Sequence, residues 1–464
     1  MGERNTSTAV ATGQAVELKK QISLFDCVTL IVGTVIGAGI FVSPVGILLN
    51  VQSVGMSIIL WAACGLYSGL CAMCFAELGA AMPVTGGEYM YIYTAFGDFA
   101  GFLCLWIYIT INYCVGYAAL CLVFSTYILQ PLYMTCEVPV IVIRLLSVLI
   151  YTLLTTLNCR NVKWVTKLQA VTTGAALTAL VGIVIIGVVW IIKGETGRFE
   201  NAFEGSDYSP GKITIGFYSG IFAYSGWNNV CMIASEIVKP QRNIPLSIII
   251  SLSIVTLVYI AVNIGYFAVL TPSQMIKSSA VAVTFAEHTL GKGSFVMSIL
   301  IASAVVGTLN GSMLAFSRLI YMGANNNHVP QFIGMLSIKN KTPSPSLMFI
   351  CLIVLILQYF EEVFYLIELS GFGSATVISA TLAALLKLRW KNKLDRPFKL
   401  HISIPIIMFI TSLMIACLTI YQKPTESGYA ILTIALGVPY YLFTVLWKDK
   451  PVCLQRKLSK YKIQ

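Results

Sequence analysis

Apolar stretches of bilayer-crossing length recur along this 464-residue chain, near 24–49, 54–82, 99–129, 138–157, 165–192, 213–237, 244–270, 294–322, 345–360, 363–386, 403–421 and 429–447. A helix needs about 20 mostly apolar residues to cross the hydrocarbon core. Lipid offers no partner to backbone N–H and C=O, so each stretch must close its own hydrogen bonds, and the alternation of a β-barrel is absent. Composition agrees: 57% of residues are hydrophobic and 11% charged, against about 25% charged in a soluble domain. A soluble enzyme, a disordered chain and a nucleic-acid binder are excluded. The expected class is an all-α membrane protein with twelve transmembrane helices.

Twelve is even, so both termini share one side. Of the 30 Lys and Arg, 23 fall in the leader, in the tail and in the loops after even-numbered spans. Positive loops stay in the cytoplasm, so both termini are expected there, and the net charge of +11 reads as a topology signal. The leader is polar, and no cleavable signal is expected before the first span. Asn-x-Ser/Thr occurs at Asn5, Asn310 and Asn340, in the leader, inside span eight and in a cytoplasmic loop. None suits lumenal glycosylation, which points to a glycosylated partner.

Most of the 13 cysteines lie inside apolar spans, where a free Cys behaves as a small hydrophobe. Cys136 alone falls in an expected extracellular loop. A thiol in an oxidising compartment is either shielded or bridged to another chain.

Two spans carry breaks. The first reads Thr34-Val-Ile-Gly37-Ala38-Gly39-Ile-Phe-Val-Ser-Pro44, a poor continuous helix. Its small residues serve either close helix packing or an unwound segment whose free amides start a second half-helix. The sixth repeats the theme at Phe222-Ala-Tyr224-Ser225-Gly226-Trp227-Asn228-Asn229. Paired interruptions in corresponding spans point to a transporter site at the midplane. Half-helix amides hold a carboxylate and unpaired carbonyls accept from an ammonium, so an α-amino acid fits without any charged side chain. Gly55, outside the interruption, is expected to tolerate alanine.

With Gly86-Gly87-Glu88-Tyr89, Cys136-Glu-Val-Pro139, Asn310-Gly311-Ser312 and Ser317-Arg318-Leu319, these motifs resemble the light subunits of the heteromeric amino-acid transporters, in the amino acid–polyamine–organocation superfamily. Within that group the likeness leans towards carriage of aspartate and glutamate. The resemblance implies a LeuT-like five-plus-five inverted repeat, spans 1–5 over 24–193 and spans 6–10 over 194–386. Spans 11–12 would follow over 387–447, between a leader at 1–23 and a tail at 448–464. It implies a substrate carboxylate on the amides beside Gly37, those of Ala38 and Gly39, and an α-ammonium on the carbonyls of Val35, Phe222 and Ser225. The Phe222 ring would act as an inner lid. It also implies a bridge from Cys136 to a single-pass type II glycoprotein heavy chain of the rBAT kind at the plasma membrane.

The chain departs from the family in three places. Ala38 stands where the family usually has Ser. Ala176 stands where many relatives place a span-five Lys, which questions a polar link among spans one, five and eight. Tyr113 and Ser374 stand where the cystine/glutamate relative has arginines, so the side chain of the substrate is expected to be read by Tyr113, Ser374 and Asn228. Glu77, near the cytoplasmic end of span two, is expected to hold helices together, and Arg144 to snorkel.

No soluble catalytic apparatus is visible. His288, His328 and His401 lack metal-ligand spacing, no phosphate-binding loop appears, and neither cofactor nor metal is expected. The expected function is a sodium-independent exchanger of aspartate, glutamate and cystine, with large neutral amino acids as the alternative substrates. An intramembrane enzyme or receptor would want ionisable residues clustered at the midplane or a large extramembrane domain.

Overall fold

Ser23 starts the first helix of the computed structural model: its side chain accepts from the Asp26 amide while Asp26 reaches back to the Ser23 amide, closing a capping box. The structure describes residues 22–133, 138–160, 162–194, 196–278, 280–335, 337, 342–359, 363–391 and 396–446. It is helical throughout, apart from one isolated bridge between Ile22 and Ile237. That bridge joins the entry of span one to the exit of span six.

Among the described residues nine helices are long and apolar enough to cross a bilayer. The pair Leu24–Val35 and Gly39–Val51, bent by 48°, makes a tenth. The other two expected positions hold shorter helices. Ser344–Leu357 has 14 residues, and Pro210–Ala223, also 14, stops at the second interruption. Beyond it the chain makes only the short turns Asn229–Met232 and Ala234–Glu236, so the far half of span six is shorter than the sequence suggests. Polar Ser225, Gly226, Asn228 and Asn229 remove the apolar face that would carry the helix onward.

The outer surface is apolar where lipid would lie. Ile141, Leu145, Leu149 and Leu153 form an exposed stripe at four-residue spacing on Val140–Arg160. Inside, Val54–Ala81 packs along Pro240–Val269, and Ser294–Asn325 along Val162–Ile192. Glu77, fully buried, accepts from Arg389 through both oxygens, from Arg396 at 3.2 Å and from the Leu400 amide at 3.0 Å. It therefore ties span two to span ten, as expected. Arg144 donates to the Tyr359 carbonyl at 2.8 Å and covers its ring. Cys136 lies outside the described residues.

Candidate substrate site at two interrupted helices

Span one breaks because Ile36 leaves the helical region, with ψ at 83°. The Gly37 amide then turns back onto the Val35 carbonyl at 2.8 Å. Span six breaks at Ala223, and Gly226, at φ +105°, takes a conformation that favours glycine. The two breaks meet. A Cβ added at Gly39 would stand 2.3 Å from the Ala223 Cα, and one at Gly37 would stand 1.8 Å from the Thr308 hydroxyl. Ser43 donates to the Ser219 carbonyl and Thr34 to that of Gly226, stitching the interrupted spans together.

Freed backbone groups set the site's chemistry. Among the described residues no backbone carbonyl takes the Ala38 or Gly39 amide, so both are open at the start of a 13-residue half-helix. Of the three carbonyls named for an ammonium, two are engaged. Val35 accepts from Gly37 and lies 2.7 Å from the Tyr259 hydroxyl, which is also 3.0 Å from the Ala223 carbonyl. Phe222 accepts from the Ser225 amide and hydroxyl. Among the described residues no backbone amide donates to the Ser225 carbonyl. An ammonium has that acceptor open, and at Val35 it must displace Tyr259.

All nine residues singled out from the sequence, Val35, Gly37, Ala38, Gly39, Tyr113, Phe222, Ser225, Asn228 and Ser374, line one cavity. Tyr113 stacks on Phe316 with ring centroids 4.2 Å apart, and its hydroxyl is 3.4 Å from the Asn229 side-chain oxygen. Asn228 donates to Glu88 at 2.7 Å. Among the described residues the lining includes no Lys, Arg or His.

Sequence reasoning missed several groups. A π turn at Tyr108–Tyr113 widens span three and points to a functional kink, and the Asn112 carbonyl there accepts from Ser370 of span ten at 3.3 Å. Tyr117 and Tyr218 also line the cavity; the Tyr117 hydroxyl is buried with no hydrogen-bond partner among the described residues, and Tyr218 lies beside Thr419 of span eleven. Tyr259, in the middle of an apolar run, gave no local sign that it caps broken helices.

The polar link questioned at Ala176 is supplied two turns earlier by Gln169. Asn310 of span eight donates to Gln169 at 3.0 Å and accepts from Asn158 of span four at 3.1 Å. Span one joins by contact: a Cβ at Gly33 would stand 2.9 Å from the Thr173 hydroxyl.

A family model described as amino acid permease matches residues 22–443. The large neutral amino acids transporter small subunit 2 of Homo sapiens is 38% identical over 457 residues, covering 97% of this chain and 85% of its own. The Asc-type amino acid transporter 1 of Mus musculus is 37% identical over 447 residues, covering 96% and 84%. The cystine/glutamate transporter of Homo sapiens is 35% identical over 439 residues, covering 94% and 88%. With a helical membrane fold and two interrupted spans meeting at one cavity, the chain belongs to the amino acid permease family, on the branch of the heteromeric amino-acid transporter light subunits.

Proposed function

We propose that this chain is a sodium-independent amino-acid exchanger of the plasma membrane, built as a five-plus-five repeat with two appended spans and with both termini in the cytoplasm. The observation that carries this is the pair of open amides at Ala38 and Gly39 facing a cavity also lined by Ser225. Together they match a carboxylate and an ammonium on one carbon. Among the described residues the lining holds no cation, and a relative named for large neutral amino acids is 38% identical. Large neutral amino acids are therefore the leading substrates.

A second reading, aspartate, glutamate and cystine, rests on different observations. Tyr113, Tyr117, Tyr218 and Ser374 line the cavity, and hydroxyls can donate to a side-chain carboxylate. A hydrogen bond to a charged group contributes about 1.5–3 kcal/mol. Radiolabelled uptake of leucine, aspartate, glutamate and cystine, with and without sodium, separates the readings. If the second holds, Tyr113→Phe or Ser374→Ala lowers aspartate and glutamate uptake about tenfold or more, and cystine uptake less. Equal loss for all substrates assigns these residues to helix support.

The partner is a single-pass type II glycoprotein heavy chain of the rBAT kind, bridged through Cys136. Cys136→Ser is expected to abolish the high-mass band on non-reducing gels; a surviving band places the bridge elsewhere.

A further inference from the structure

Glu88 is a carboxylate that the transport scheme leaves without a task. It sits at the start of Gly87–Phe96, the short helix between spans two and three, and lines the cavity at 1% exposure. One oxygen accepts from Asn228 at 2.7 Å; the other is buried and makes no hydrogen bond of good geometry among the described residues, with the Tyr108 hydroxyl as its neighbouring donor. The titratable groups facing it are Tyr91 on its own helix, Cys104 on span three, Tyr108 and Tyr113 on the π turn, and Cys231 after the span-six break. None is a cation. Lys387 of span ten lies over Phe96, eight residues further along the helix, and Glu77 of span two is taken by Arg389 and Arg396. A buried charge without a counter-ion is costly, and such a group takes up a proton instead.

The geometry points to Glu88 as a protonatable specificity determinant: with a proton on its free oxygen the cavity admits anionic side chains, and without it only uncharged ones. This rests on the exchanger reading above and decides between its two substrate sets. A proton from water binds the free oxygen, neutralises the carboxylate and supplies an O–H donor, while the other oxygen keeps its bond from Asn228. A protonated buried carboxylic acid can serve as a donor to an anion. Burial pushes the Glu88 carboxyl up to about 7, so the neutral form prevails below that pH and is lost as pH rises through it.

The test is uptake of labelled glutamate and leucine by the full chain in proteoliposomes, with equal pH on both sides. Glutamate's side chain is ionised from pH 6 to 8, so a change in the glutamate-to-leucine ratio reports the protein. For the wild type the ratio is expected to fall about tenfold over that range. For Glu88→Gln, which keeps an acceptor for Asn228 and never ionises, it should stay flat. A flat wild-type ratio overturns the proposal even if the variant fails to fold, as does an equal slope in the variant. Leucine exchange with glutamate excluded at every pH overturns it and leaves the exchanger standing. No uptake of either substrate overturns both.

Discussion

Gly39→Ala is expected to lower amino-acid exchange about a hundredfold with the protein still folded, because misplacing a binding group by about an ångström costs that much. Its new Cβ would stand 2.3 Å from the backbone of Ala223, and a backbone atom cannot swing away as a side chain does. The two interrupted spans must separate, and the amides of Ala38 and Gly39 move with them. The control is Gly182→Ala, at a position with nothing within 4 Å, which should exchange at nearly the wild-type rate. Size-exclusion profiles check folding, and uptake checks function. Equal losses at both positions would assign Gly39 to general packing.

Arg389→Ala carries the largest expected effect on stability. It removes the principal partner of a fully buried carboxylate, Glu77, leaving only Arg396 and the Leu400 amide. Breaking a buried ion pair from one side costs about 3–5 kcal/mol when nothing else meets the remaining charge, and Arg396 and the Leu400 amide offset part of that here. A clear drop in the melting temperature of the purified protein should follow. The double variant Glu77→Ala/Arg389→Ala should melt above Arg389→Ala alone, since it leaves no under-compensated buried carboxylate. An unchanged melting temperature in Arg389→Ala would show that the pair does not hold spans two and ten together.

Much of this architecture is legible in sequence because lipid makes its rules local. Each span must be apolar and satisfy its own backbone, and each break must advertise itself with glycine, proline or polar residues. The breaks at Gly37–Gly39 and Ser225–Asn229 are readable on those terms, and the residues around them share one cavity. What escaped depends on contacts distant in sequence. Gly55 carries no local sign of contact, yet a Cβ there would stand 2.8 Å from the Phe203 ring and 3.0 Å from the Ala202 carbonyl, so alanine at that position requires the 202–203 segment to shift. Tyr259 caps the Val35 and Ala223 carbonyls from span seven, and Gln169 restores a polar link that Ala176 seemed to forfeit. Glu88 was visible in its motif, but only the fold shows that it lines the cavity beside Asn228. The π turn at Tyr108–Tyr113 follows from packing and leaves no pattern in the residues themselves.

The central claim, that the interrupted spans hold an amino acid for exchange, is tested most directly by counterflow in sodium-free proteoliposomes. Vesicles carrying the chain are preloaded with unlabelled leucine or glutamate, and entry of the same labelled amino acid is followed. Preloading is expected to accelerate entry strongly for at least one of the two, and Gly39→Ala should remove the acceleration. Entry that is indifferent to preloading, or that Gly39→Ala leaves intact, would contradict the account.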